Sequence, residues 1–400
     1  MPQPFIALPQ EPVLDSRILI VDDSEMNCVM LRQIFENHKF TNIACASNGV
    51  QAMEILPSYK PQLILLDLMM PYMSGYEFCK QLRNNGEYAN VPILAQTALE
   101  TQEDHNEIFR LGASDLVTKP INDFELIARA RIHLERFHLI ARLQQYQARI
   151  AGELGLARQM QNDLMPSAAS MQECQRVYHI DIAEHFETPS EMGGDMWGFK
   201  PLYEHQLSVF MSDFSGHGVH AALNAFRLHT LMQEMSEFYG ENAGSYLNAL
   251  NERLRSLLGK GQFATMFYGI IDTHKSLLYY ATAATPHPLL LRGATGKIER
   301  LDGSGYPLAM EKHNTPYETN TAIFDVGDIL ILYSDALVET LCKDGTFIDV
   351  QTLMAYIEDI WSSTINRTAQ TIRDAIIDYF KAFAITPLQD DLTVSIYHRR

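Results

Sequence analysis

From Arg17 onward, short apolar runs alternate with longer stretches whose apolar positions recur every three or four residues. The runs are Ile18–Val21, Ile43–Ala46, Leu63–Leu66, Ile93–Ala95 and Leu116–Val117, each with the unbroken apolarity of a buried strand. Five such strands separated by helical stretches over about 120 residues predict a doubly wound parallel sheet. Residues 1–14 ahead of it carry four prolines and no periodicity, which predicts a loose arm. A helical pattern then runs from Asn122 to Leu164, with Gly152 and Gly155 as a place where it can break. Ile127, Leu134 and Ala141 fall seven apart, as do Leu143, Ile150, Ala157 and Leu164, but the frame slips between the two sets. The seam reads either as an amphipathic helix lying on its neighbours or as a dimerising signalling helix, and Pro166 ends it. From Ser167 the texture changes to longer apolar strands with glycine and proline punctuation. Strands are predicted at Leu207–Met211, Met266–Ile271, Leu277–Ala281, Ile329–Tyr333 and Leu392–Tyr397, and helices at Ala221–Tyr239, Ala243–Leu258 and Thr368–Phe383. This second region reads as a larger α+β domain.

Composition narrows the class. Four hundred residues suggest two or three domains, and 46% hydrophobic with 20% charged residues excludes a mostly disordered chain. A formal charge of −18 argues against a nucleic-acid partner. No stretch approaches the roughly 18 apolar residues of a membrane span, and the N-terminus lacks the basic start of a secretory signal. Cys28, Cys45, Cys79, Cys174 and Cys342 show no zinc or redox spacing and are expected as ordinary small core residues in a reducing compartment. The expectation is a cytoplasmic protein.

Acidic residues then mark two places where chemistry is expected. Asp22 and Asp23 end the first predicted strand and Asp67 ends the third, so a parallel sheet brings all three to one edge. Three neighbouring carboxylates repel one another and favour a hard cation. Thr97 and Lys119-Pro120 follow the fourth and fifth strands at the same edge. A cation, a hydroxyl and an ammonium around one carboxylate make a phosphoryl-transfer arrangement with Asp67 as nucleophile. In the second region Asp195 follows Gly193-Gly194, and Asp213 and Asp335 end strands. Asp390-Asp391 precedes another strand. Four or five converging carboxylates without arginine partners call for divalent cations, which would clamp a phosphate and acidify a bridging water. No Ser or Cys nucleophile with a paired base is evident. His217, in the glycine-rich loop after Asp213, reads either as a phosphate contact or proton donor, or as a loop-structural residue. His133 and His138 are expected at the surface.

Residues 15–136 resemble a response-regulator receiver domain through Asp22-Asp23, Asp67, Thr97 and Lys119-Pro120. The resemblance implies strand order 2-1-3-4-5, phosphorylation of Asp67 by a sensor histidine kinase, and one Mg²⁺ held by Asp22, Asp23, Asp67 and the Met69 carbonyl. Leu116 stands where the family often has an aromatic residue. Residues 167–400 resemble a SpoIIE-like serine/threonine phosphatase of the PPM type. The resemblance is carried by Gly193-Gly194-Asp195, the run Ser212 to Gly218, Phe263–Gly269, Gly303–Leu308, Tyr333–Glu339 and Asp390-Asp391-Leu392-Thr393. It implies an αββα sandwich and two Mn²⁺ or Mg²⁺ ions held by Asp195, Asp213, the Phe214 carbonyl, Asp335 and Asp390, with Asp391 at a neighbouring position. Met196, Gly198, Ala336 and Ala284-Thr285-Pro286 depart from the usual pattern. Residues 137–166 would be a helical linker through which the chain forms a homodimer. The function implied is a phosphorylation-controlled protein phosphatase acting on an anti-sigma-factor antagonist. The alternative is a non-catalytic adaptor whose receiver gates a protein-binding surface.

Overall fold

The computed structural model describes residues 13–97, 102–189, 192–216, 218–235, 241–303, 305–310 and 315–400. Most of the predicted N-terminal arm lies outside them. The chain falls into two compact units, Met1–Ile150 and Ala151–Arg400.

In the first unit the five predicted strands are present as β1 (Ile18–Val21), β2 (Ile43–Ala46), β3 (Leu63–Asp67), β4 (Ile93–Thr97) and β5 (Asp115–Thr118). They alternate with α1 (Glu25–Asn37), α2 (Gly49–Tyr59), α3 (Gly75–Asn84) and α4 (Gln102–Arg110), and α5 (Asp123–Asn162) follows. All pairs are parallel, in the order β2-β1-β3-β4-β5. The central strands are buried on both faces, which is why they read as continuous apolar runs rather than alternations. Ile18, Ile20, Leu63 and Leu65 point into one helix-covered cluster, while Leu19, Val21, Ile64 and Leu66 point into the other. Ser and Asn caps start α1, α2 and α3, and Ser74 with Glu77 forms a complete capping box.

The helix α5 is continuous over 40 residues. The helix does not break at Gly152 and Gly155, where the sequence allowed it: neither glycine has a neighbour that needs the missing side chain, so both are ordinary, if weak, helix positions. Its early apolar positions Leu126, Ile127, Ala130 and Leu134 are buried in the first core, whereas Leu143, Tyr146, Leu156 and Met160 are exposed. His133, expected at the surface, is mostly covered and lies 3.2 Å from Asp115, while His138 bonds Ser16 at 2.8 Å.

The second unit begins with α6 (Ala168–Tyr178), β6 (Ile180–Glu187), β7 (Met196–Tyr203) and β8 (Gln206–Phe214). Then come α7 (Val219–Met235), α8 (Ala243–Leu257), β9 (Ala264–Asp272), β10 (Leu277–Ala283), β11 (Leu289–Leu291), β12 (Ile298–Arg300) and β13 (Asn320–Ile323). It ends with β14 (Ile329–Tyr333), α9 (Ala336–Glu339), α10 (Val350–Ser363), α11 (Ala369–Phe383) and β15 (Leu392–Arg399). The strands form two antiparallel sheets, β13-β10-β9-β8-β7 and β12-β11-β14-β15-β6.

Strand periodicity sets the layers. On β8, Leu207, Val209 and Met211 face Leu290, Leu330, Leu332 and Tyr397 of the other sheet, while Phe210 and Phe214 face α7 and α8. On β14, Ile329, Ile331 and Tyr333 turn outward to α10 and α11. The result is an αββα sandwich. Gly198, one of the departures from the family pattern, is explained by packing: a Cβ there would lie 2.7 Å from the Phe210 ring.

His398 on β15 is 5% exposed, meets Trp361 edge-on at 6.1 Å and leaves its Nδ1 without a hydrogen-bond partner. Burial, with Arg400 adding repulsion, pushes its pKa down to about 4. The unfolded chain therefore takes up a proton below the ordinary histidine pKa that the folded chain refuses until about pH 4. This contribution to stability is present above about pH 6.5 and is lost as the pH falls through 4, for about 3 kcal/mol in all. Denaturant unfolding from pH 7 to pH 4 should show the wild type losing that much relative to His398→Phe; parallel curves would remove the histidine from the account.

Candidate active sites

At the carboxyl edge of the first sheet, β1 runs out at Val21 and delivers Asp22 and Asp23, while β3 delivers Asp67 as its last residue. Ligand atoms of these three carboxylates lie within 4.8 Å of one another, the one such group among the described residues. Asp22 and Asp67 are buried and Asp23 is exposed. Lys119, just past β5, places Nζ 2.6 Å from Asp67 Oδ2 and 3.7 Å from Asp22 Oδ2. Its backbone N–H donates to the Thr97 carbonyl at 2.9 Å, and Thr97 itself is buried. The Met69 N–H donates to Asp67 Oδ1 at 3.3 Å. Burial raises the Asp22 pKa, opposed by the Ser24 N–H, Asn27 and Lys119. One ammonium against three carboxylates leaves a net negative pocket with hard oxygen donors, which fits a small divalent cation.

Two residues that complete this site escaped the sequence reading. Asn27 donates Nδ2 to both Asp22 oxygens, at 3.1 and 3.3 Å. Gly75 packs so tightly that a Cβ would lie 2.3 Å from the Asp67 carbonyl oxygen. The chain after Asp67 returns through the Ser74 cap, and the Gly75 N–H bonds the Leu68 carbonyl at 3.0 Å. The Ser74-x-x-Glu77 signature was the readable signal for that return. Leu116, the departure from the expected aromatic, packs with Leu68, Ala95 and Ile108.

In the second unit the expected aspartates gather at one end of the sandwich. Asp195 precedes β7 and is 1% exposed. Its Oδ2 accepts the Thr393 hydroxyl. Asp391 is equally buried, and its Oδ2 accepts the Gly194 N–H at 2.6 Å and the Asp195 N–H at 3.4 Å. Asp391 Oδ1 is buried without a hydrogen-bond partner. The closeness depends on Gly193, where a Cβ would lie 2.2 Å from Asp391 Oδ2. Gly194 lies against the Phe214 carbonyl and Asp213, which a Cβ would approach to 3.0 and 3.4 Å. Asp335 and the exposed Asp390 line a cleft of about 690 Å³ with Glu339, Phe347 and Gln389. Ala336, the residue after Asp335, is buried at the start of α9.

The electrostatics show how near these groups are. Burial, then repulsion from Asp213, holds the Asp195 pKa well above the carboxylate range. Burial, then Asp335 and Asp390, pushes Asp213 up to about 8. Burial, then Asp390, raises Asp335. None of Asp195, Asp213, Asp335 and Asp391 has a Lys, Arg or His in ion-pair contact among the described residues. Unpaired buried carboxylates cost several kcal/mol each, so this donor set fits divalent cations. No three of these carboxylates fall within the 4.8 Å span of a single-ion group.

Asp391, expected only as a neighbour of the ligand set, is the deeply buried member of its pair, and Asp390 is the solvent-facing one. His217 lies outside the described residues, as does Ser304 of the Gly303–Leu308 motif. Gln161, at the end of α5, was not singled out by sequence. Its Nε2 donates to the Gly193 carbonyl at 2.7 Å and its Oε1 accepts the Gly193 N–H at 3.3 Å, so α5 holds the glycine loop directly.

Comparison with known proteins agrees with both halves of this description. Residues 203–400 match the family model of stage II sporulation protein E (SpoIIE), and residues 18–131 match that of the response regulator receiver domain. The chain is 39% identical over 122 residues to the transcriptional regulatory protein YvrH of Bacillus subtilis, covering 30% of this chain and 50% of that protein. It is 25% identical over 268 residues to the Regulator of RpoS of Escherichia coli, covering 63% of this chain and 77% of that protein. The chain thus spans half the length, or less, of curated relatives that match its receiver. The SiaA-PP2C domain of Pseudomonas aeruginosa superposes with a TM-score of 0.54 at 16% identity, over 64% of this chain and 98% of that one, a likeness of fold. Among the described residues no helix is long and apolar enough to cross a membrane. Sequence motifs, sheet order, sandwich and family models converge: the chain joins an N-terminal response-regulator receiver domain to a C-terminal SpoIIE/PPM-like phosphatase domain.

Proposed function

We propose that this protein is a response regulator in which phosphorylation of Asp67 controls metal-dependent hydrolysis of phosphoserine or phosphothreonine in a protein substrate. The reading divides the chain into an arm (1–14), a receiver (15–136), a linker (137–166) and a phosphatase (167–400). A sensor histidine kinase supplies the phosphoryl group. Asp67 is the acceptor, Lys119 neutralises charge on it, and Thr97 lies at the same strand edge to meet the added group. Asp22, Asp23, Asp67 and the Met69 carbonyl would hold one Mg²⁺. In the phosphatase, Asp195, Asp213, the Phe214 carbonyl, Asp335 and Asp390 would hold two Mn²⁺ or Mg²⁺, which when bound supply Lewis acidity toward a phosphate ester. Asp391 holds the Gly194-Asp195 backbone in place for that set. The observation that carries the reading is the fully buried Asp195 carboxylate facing Asp213 with no cationic side chain in contact.

A small phosphoprotein, an anti-sigma-factor antagonist, is the substrate class that the SpoIIE likeness suggests, and the setting is cytoplasmic. A second copy of the chain is the proposed cover for the exposed Leu143 and Tyr146 on α5. The second reading, a non-catalytic adaptor, is favoured by Ala336 beside Asp335 and by the 268-residue likeness to a protein named only as a regulator. Turnover separates the two.

A small phosphodonor with Mg²⁺ should add one acid-labile phosphate to the wild type and none to Asp67→Asn. Phosphatase activity toward a phosphoprotein or aryl phosphate should change at least threefold on labelling of the wild type and stay constant in Asp67→Asn. Label that persists in the variant refutes the acceptor; a chain without turnover under Mn²⁺ favours the adaptor.

Gly193→Ala places a methyl group 2.2 Å from Asp391 Oδ2 and must displace a buried carboxylate. It should lower turnover at least a hundredfold while leaving Asp67 labelling intact. Activity within threefold of the wild type would mean that the loop relaxes freely and its close approach carries no function.

A further inference from the structure

After Asp335, the short helix α9 carries Glu339 one turn onward, its N–H donating to the Asp335 carbonyl at 2.8 Å. The chain then passes Leu341 and Cys342, turns, and comes back at Phe347, which forms an antiparallel bridge with Leu341. The segment that leads to Asp390 pairs on the other side, with Cys342 bridging Ala384. There the Ile385 N–H donates to the Leu341 carbonyl at 3.0 Å and the Lys343 N–H to the Phe383 carbonyl at 2.9 Å. This small ladder obeys strand alternation. Cys342, Ile348 and Ala384 are buried and pack into the core formed with β14, α10 and α11. Their chain neighbours Leu341, Phe347 and Ile385 fall in one row on the opposite face and are 45%, 60% and 41% exposed. The solvent face of an antiparallel ladder is ordinarily polar, and three large apolar side chains in a row mark a contact surface rather than scattered exposure.

Two observations say what covers this row. It lines the same cleft of about 690 Å³ as Asp335 and Asp390, both in the proposed metal-ligand set. Leu341 lies six residues after Asp335, and Asp390 lies five residues after Ile385, so short segments tie the row to those aspartates. A phosphorylated side chain held there brings its own flanking chain across the row. The second observation is charge. Beyond the two aspartates the cleft is lined by Glu339, and among the described residues by no lysine, arginine or histidine. A cleft that is apolar on one wall and acidic on the other complements an apolar side chain with a basic one beside it, and repels an acidic flank.

We propose that Leu341, Phe347 and Ile385 bind the segment flanking the phosphoresidue of a protein substrate, selecting an apolar side chain there and a basic one beside Glu339. This rests on the phosphatase reading of the aspartate site and adds to it the local sequence of the substrate. Contacts to the flank are made equally in the bound substrate and in the transition state, so the selection acts on KM more than on kcat.

The test uses the full-length chain with Mn²⁺ and short phosphothreonine peptides in a serine background. A single leucine, or a single lysine, is moved through the positions on either side of the phosphothreonine. One leucine position should raise kcat/KM about tenfold over the all-serine peptide, chiefly by lowering KM. Phe347→Ser and Ile385→Ser should each cut that gain to about twofold or less, and Glu339→Gln should remove a gain of about threefold from lysine. Each rate is divided by the same variant's turnover of an aryl phosphate, which has no flank to reach the row. Fluorescein-labelled peptides carrying a non-hydrolysable phosphonate, followed by anisotropy, should bind with the same leucine preference and lose it in Phe347→Ser. A chain that binds with that preference but turns over neither peptide nor aryl phosphate would refute the phosphatase reading and leave the surface standing. No preferred leucine position, or a preference that survives both serine variants, would overturn the proposal. So would a Phe347→Ser chain that keeps its peptide preference but changes its oligomeric state or its response to Asp67 phosphorylation, since the row would then meet a second copy or the receiver.

Discussion

Carboxylates taken out of water and not given a positive side chain are the constraint around which the phosphatase unit is arranged. Asp195 and Asp391 are almost completely buried, Asp335 and Asp390 stand close enough to Asp213 to raise its pKa, and Asp390 does the same to Asp335. A buried charge without a partner costs several kcal/mol, and an arginine could have removed that cost with a bidentate pair. The unit instead uses neutral donors: Thr393 to Asp195, and the Gly194 and Asp195 N–H groups to Asp391. Neutral donors orient the carboxylates and leave their charge in place. Gly193 is needed because a Cβ would come within 2.2 Å of the Asp391 carboxylate oxygen.

The receiver solves a related problem with one cation already built in. Lys119 bridges Asp67 and Asp22, so part of the repulsion among three carboxylates is met within the chain. Asn27 and the Ser24 N–H fix Asp22 in the way that Thr393 fixes Asp195. In both units a glycine allows backbone or carboxylate to come within a distance that a methyl group would forbid, Gly75 at Asp67 and Gly193 at Asp391. Gln161 adds a direct tie from the last turn of α5 to the Gly193 backbone.

Much of this was legible in the chain because buried strands have a strong local signature. The receiver strands and the runs at Leu207, Met266 and Ile329 are apolar on both faces and announce themselves. Strands β6 and β7 did not, since Ile180–Glu187 alternates with charged residues and Met196–Tyr203 follows a glycine loop. The aspartates were readable because each ends or precedes a strand, where a sheet gathers them. Gln161 and the partner of Thr393 were not, because hydrogen bonds across 32 and 198 residues leave no spacing in the sequence, and Asn27, five residues from Asp22, carries no signature of its own. The uninterrupted α5 shows the opposite limit: two glycines lower helix propensity but do not break a helix whose neighbouring turns are sound.

The central claim is that the buried aspartates of the phosphatase unit exist to hold cations, and titration of the metal-stripped protein with Mn²⁺ tests it most directly. Asp67→Asn is the background that weakens the receiver site. Calorimetry on that variant should find two Mn²⁺ ions per chain beyond any residual receiver binding, with a rise in the thermal midpoint of the phosphatase unit on loading. Replacing Asp213 with asparagine should remove at least one of those two ions. Absence of binding in the phosphatase unit, with its thermal midpoint unmoved by Mn²⁺ or Mg²⁺, would contradict the account.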